Sequence, residues 1–171
     1  LKKTADGITA TQNESRGTDI SIELKDLAIL VLRHSEATAA GLHGDADAAG
    51  RAAKIRARMA EPMAKIERWV KVLGVDEDWT PLRATIEVAL QAQDGSSIEA
   101  IQISHGALVR AVERFAQLTA EKSGLKYDPE GATANLTVIV TERTLPYAQA
   151  MATIGLIGTQ ASLAGAWTEA D

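Results

Sequence analysis

From Asp19 onward the apolar residues Ile20, Leu24, Leu27 and Val31 recur at steps of four, three and four, the spacing of one buried helical face. This first helix is predicted to end at "GLHGDAD". Residues 1–17, with Gly7, Asn13 and Gly17, either continue it or fray as a chain end. A second pattern, Ile55, Met59, Pro62, Ile66, Trp69 and Leu73, stops at Gly74, and its seam contains a proline. Thr80 as N-cap and Pro81 at the first helical position predict a short helix near 79–93 through Leu82, Ile86 and Leu90. In "SSIE", Ser96 and Glu99 form a capping box that opens a long helix with the seam Ile98, Ile101, His105, Leu108, Val112 and Phe115. After "KSG", Asp128 and Pro129 start a last helix along Leu136, Ile139, Arg143, Pro146, Ala150, Ile154, Ile157 and Ala161.

Four long patterns joined by short turns predict an all-α fold, an elongated antiparallel four-helix bundle of up-down-up-down topology. The short helix near 79–93 is an elaboration of it, and residues 1–171 are expected to form a single helical-bundle domain. Both termini then lie at one end of the bundle.

Composition narrows the function classes. Hydrophobic residues make up 46% of the chain and aromatics only 4%, so small aliphatic side chains must fill the core, as in closely packed helices. A net charge of −5 with interspersed cations leaves no basic footprint for nucleic acid. The absence of cysteine excludes disulfides, thiolate metal sites and a cysteine nucleophile. Three histidines without HExxH spacing give no metal site, and no Ser-His-Asp logic or glycine-rich phosphate loop is present, so neither enzyme chemistry nor a cofactor is expected. No apolar run approaches the ~18–20 residues that span a bilayer. The chain begins without Met, and both ends read as cut from a longer protein.

The stretch "SGLKYDPEGATANLTVIVTERTLPYAQAMATIG" resembles the last segment of the helical-bundle sensor domains that stand outside the membrane in bacterial histidine kinases and methyl-accepting chemoreceptors. The matching positions are Gly124, Leu125, Asp128, Pro129, Leu145 and Pro146; where members often carry a Tyr pair, Ala134 and Asn135 stand here. "RHSEATAAGLHGD" and "DWTPLRATIEVAL" resemble the family's first hairpin and middle. The resemblance implies a periplasmic signal-input domain of an inner-membrane receptor, most often a two-component histidine kinase. Such a domain is flanked by transmembrane helices, works as a homodimer and responds to a small molecule or protein. A chemoreceptor ligand-binding domain and a non-sensory helical interaction module are the alternatives.

Within this frame the prolines suggest a site. A proline inside a helix costs roughly 3 kcal/mol and asks for a local reason. Counted from their helix starts, Pro62 and Pro146 fall at one height, with His105 and Arg143 in the same slab. Arg143 on an apolar seam is a candidate anion clamp and His105 a candidate hydrogen-bond partner, in space opened by the two kinks. Arg143 has a second reading, snorkelling to solvent or pairing with Glu142. His34 continues the first seam and reads as a satisfied core histidine, between the slab and the turn at Gly44; Trp69 and Trp79 read as packing anchors, Trp167 as an interfacial residue.

Overall fold

In a computed structural model the backbone is described for residues 2–91 and 97–125, and for Arg143, Tyr147, Ala150, Met151, 153–155, Ile157, Gly158 and Ala161. The fold is all-α, five helices packed against one another. Four are complete in the described residues: α1 (Lys2–Leu42), α2 (Ala48–Leu73), α3 (Asp76–Ala89) and α4 (Ile98–Ser123). The described residues from Tyr147 to Ala161 belong to the fifth.

The seams read from periodicity are the core. Ile20, Leu24, Leu27 and Val31 of α1, Met59, Ile66 and Leu73 of α2, Leu82 and Ile86 of α3, and Leu108, Val112 and Phe115 of α4 form one buried cluster, with Ile55 and Trp69 packed on its margin. Glycines end three of the elements. Gly44, Gly74 and Gly124 each adopt positive φ, where a side chain would strain the backbone.

Three boundaries differ from the sequence expectation. α1 runs without a break from Lys2, so residues 2–17 continue the first helix. Its early turns are held by Arg16, whose guanidinium lies 5.5 Å from the centre of the Trp69 ring, and by Gly17 packed on Ser123. Thr80 is not a cap: its hydroxyl donates back to the Asp76 carbonyl at 2.9 Å, and α3 begins four residues earlier, where Asp76, Glu77 and Asp78 complement the helix dipole. The N-cap of α4 is Ser97, which accepts from the Ala100 amide at 3.1 Å, one residue later than the expected Ser96. Ser96, Asp128, Pro129 and Trp167 lie outside the described residues.

Residue pairs along α1 give the directions of its neighbours. Arg16 meets Trp69 and Glu23 meets Lys65, so α2 runs antiparallel to α1. Gly17 meets Ser123 and His34 meets His105, so α4 is antiparallel to α1 as well, hence parallel to α2. The helix between them makes the difference. α3 runs back along α2, with Arg83 bridged to Glu67 and Leu90 beside Met59 and Met63. It is a full pass of the fold rather than an elaboration, and it reverses everything that follows. Leu125 therefore ends α4 against Gly17, while Gly155 lies near Glu36, towards the other end of α1. Among the described residues the two ends of the chain do not meet, which corrects the expectation of termini at one end.

Candidate functional site

Most buried polar side chains here satisfy themselves within their own helix. Ser21 donates to the Gly17 carbonyl, Thr38 to His34 and Thr119 to Phe115, each four residues back. One pair behaves differently. His34 sits one turn after Val31 on the buried face of α1, and His105 lies between Ile101 and Leu108 on that of α4; each is only 2% exposed. Their rings are nearly parallel, 18° apart with centroids at 5.3 Å, and His34 Nδ1 lies 3.0 Å from His105 Nε2.

The hydrogen positions follow from the partners. His105 Nδ1 is 2.9 Å from the Ile101 carbonyl oxygen, which can only accept, so Nδ1 carries the hydrogen and Nε2 of His105 is an acceptor. His34 Nδ1 must then be the donor across the interface. Ser104 Oγ stands 3.3 Å from His105 Nδ1 and donates to the same Ile101 carbonyl. Both rings are thus neutral, joined by one directed N–H···N bond between α1 and α4.

Burial is the main cause that pushes His34 down from 6.5 to about 4, with His105 and the Arg56 guanidinium of α2 acting in the same direction. His105 is also lowered by burial, partly opposed by its bond to Ile101. The charged form of either ring is disfavoured where it stands.

The expected slab is not assembled. Pro62 is buried on α2, but the register that sets Glu23 beside Lys65 and lets Arg56 act on His34 makes Pro62 level with about residue 27 of α1. It lies roughly 10 Å along the axis from the histidine pair, at ~1.5 Å per residue. Arg143 is exposed, so it does not occupy a buried seam position. Ala150, Ile154 and Ile157, expected on the same seam, are exposed as well. Pro146 lies outside the described residues. The physical reason is the extra pass made by α3, which puts the start of α2 and the end of α4 at opposite ends of the fold, so counts from those two points measure different heights.

Periodicity had marked both His34 and His105 as core-facing, but their contact depends on the relative direction of α1 and α4, which no local pattern carries. Trp79 acts as an anchor, tilted against Phe115 at 5.5 Å between centroids, with its buried indole N–H unpartnered.

Two grooves flank these elements. One, of about 370 Å³ between α2 and α3, is based on Met59, Met63 and Leu90 and rimmed by Arg56 and by Arg83 with its partners Glu67 and Glu87. The other, of about 550 Å³, lies over Ala37, Ala40 and Ile55, rimmed by Arg33, Glu36, Asp45 and Arg51, and reaches Gly155. Among the described residues no three His, Asp or Glu side chains are grouped to hold a metal ion, and no helix is long and apolar enough to cross a membrane. No family model matches the chain, and neither curated proteins nor solved structures give a match.

Proposed function

We propose that this chain is the signal-input domain of a membrane-anchored bacterial receptor, a histidine kinase in the first instance and a chemoreceptor in the second, which passes on a stimulus by displacement of α1. The observation that carries this reading is the length of α1. Its 41 residues exceed the 26 of α2 and of α4, and α4 ends where it meets Gly17. About a dozen residues of α1, roughly 18 Å at ~1.5 Å per residue, run on beyond that crossing. The described side chains from Gly7 to Gln12 are exposed. A helix seated in the core at one end and projecting at the other is a lever: a shift of about 1–2 Å at the core is delivered at its tip. The resemblance of residues 123–155 to sensor domains points the same way, with a periplasmic address and transmembrane helices outside residues 1–171.

The stripe Tyr147, Met151, Ile154 and Ile157 is exposed at spacings of four, three and three, and it favours a second reading, a helical module that docks a partner helix. In a receptor the same stripe suits a second copy. The test is protease accessibility of the full-length protein in spheroplasts. Membrane-bound protein whose residues 1–171 are cut by external protease supports the receptor. Recovery in the soluble cytosolic fraction removes it in favour of the docking module.

A further inference from the structure

We propose that His34 and His105 form an acid-released clasp between α1 and α4, closed while either facing nitrogen lacks a proton and opened when both rings are charged. The proposal stands on the geometry of the pair and does not depend on the membrane setting. In the neutral pair His34 Nδ1–H donates to His105 Nε2 over 3.0 Å, and His105 Nδ1–H is committed to the Ile101 carbonyl. A first proton taken up at Nε2 of His34 leaves the interhelical bond in place. It also sets a cation among buried groups, with the Arg56 guanidinium of α2 adding to the positive field. A second proton can enter only at His105 Nε2, the acceptor itself. Two N–H groups then face each other and two cations stand with ring centroids 5.3 Å apart, so the bond is lost and the helices are driven apart.

The surroundings do little to soften that repulsion. On α1, Glu36 is exposed and interacts with Arg33; on α4, the neighbouring polar group is the Ser104 hydroxyl. α3 meets α4 at Phe115, ten residues beyond His105, and residues 144–168 contain no charged side chain at all. Because opening needs both protons, the response is steeper with pH than a single histidine would give.

The natural chain has no cysteine, so spin labels at Leu42→Cys and Ala100→Cys, two exposed positions near the paired ends of α1 and α4, report this distance alone. The expected result is one narrow distance at pH 7.5 and a longer, broader one at pH 3.5, with helical circular dichroism retained. The double variant His34→Gln, His105→Gln, which keeps hydrogen-bonding capacity but cannot be charged, is expected to hold the short distance at both pH values. An unchanged distance in the parent at pH 3.5 would overturn the proposal. So would equal opening in the double variant, which assigns the effect to carboxylates, or separation accompanied by loss of the helical signal. Should the double variant fail to fold, nitrogen NMR of the native imidazoles decides: both rings neutral with hydrogen on Nδ1 at pH 7.5 and charging together with the separation supports the clasp, and charging without separation overturns it.

Discussion

α1 and α4 cross twice in the described residues, and the two crossings are built on different physics. At one end Gly17 presses on Ser123 and Leu125 so closely that a Cβ on Gly17 would overlap the Ser123 side chain and lie 2.9 Å from Leu125 Cδ1. At the other, His34 and His105 hold the helices by one hydrogen bond in an otherwise apolar layer. The glycine crossing is fixed by shape and is indifferent to pH. The histidine crossing is fixed by a directional bond whose survival depends on where protons sit. A helix pinned rigidly at one end and conditionally at the other can pivot, which neither crossing would allow alone.

The sharpest break of this contrast is Gly17→Val. Both added methyl groups enter the space of Ser123, and the helix cannot back away without exposing Leu24 and Val112; a loss of about 3 kcal/mol is expected in urea unfolding. The loss should not change between pH 7 and pH 5. Next in size is His105→Ala, which leaves the His34 Nδ1–H without its acceptor and opens a cavity, for about 2–4 kcal/mol. The double change His34→Leu, His105→Leu is expected to cost less than that single one, because no buried donor is left over. If the double variant loses as much as the sum of the singles, the pair is packing and the directional bond contributes nothing.

The pH dependence follows with its sign. The folded value for His34, about 4, lies below its ordinary 6.5, so between these limits the unfolded chain binds more protons than the folded one. The contribution is complete above about pH 6.5 and is lost as pH falls towards 4. At about 1.4 kcal/mol per unit it amounts to about 2–3 kcal/mol, and His105, also lowered, adds in the same direction. Glu113 and Glu36 are raised by burial and act the opposite way, favouring the fold as pH falls through their own range. Chemical denaturation of parent and His34→Gln, His105→Gln between pH 7 and 4.5 separates the two: the parent should lose stability more steeply.

What could be read beforehand divides along the same line. The seams of α1, α2 and α4 were legible because burial imposes a 3.6-residue period, and the ends at Gly74 and Gly124 because left-handed backbone favours glycine. The start of α3 was misplaced because Thr80-Pro81 carries a strong local start signal, which lost to the burial of Val75 and Trp79 and the acidic turn between them. The slab of Pro62, His105 and Arg143 failed for a non-local reason. A 14-residue helix looked too short to count as a pass of the bundle, yet it decides which ends face each other. Hence His105 was rightly placed in the core but matched to the wrong partners.

The smallest expected effect tests whether the α2–α3 contact belongs to either regime. Arg83 bridges to Glu67 across the helices and to Glu87 one turn on, but its side chain is 47% exposed. Such pairs gain little Coulomb energy in water and give up side-chain freedom, so Arg83→Ala should cost no more than about 1 kcal/mol and lose most of that in high salt. α3 is held to α2 and α4 instead by Leu82, Ile86, Leu90 and the Trp79–Phe115 contact. A loss above about 2 kcal/mol on Arg83→Ala in 0.15 M salt would mean that α3 is clamped electrostatically. Its full pass, and with it the direction of α4 and the meeting of His34 with His105, would then depend on ionic strength as well as on apolar contact.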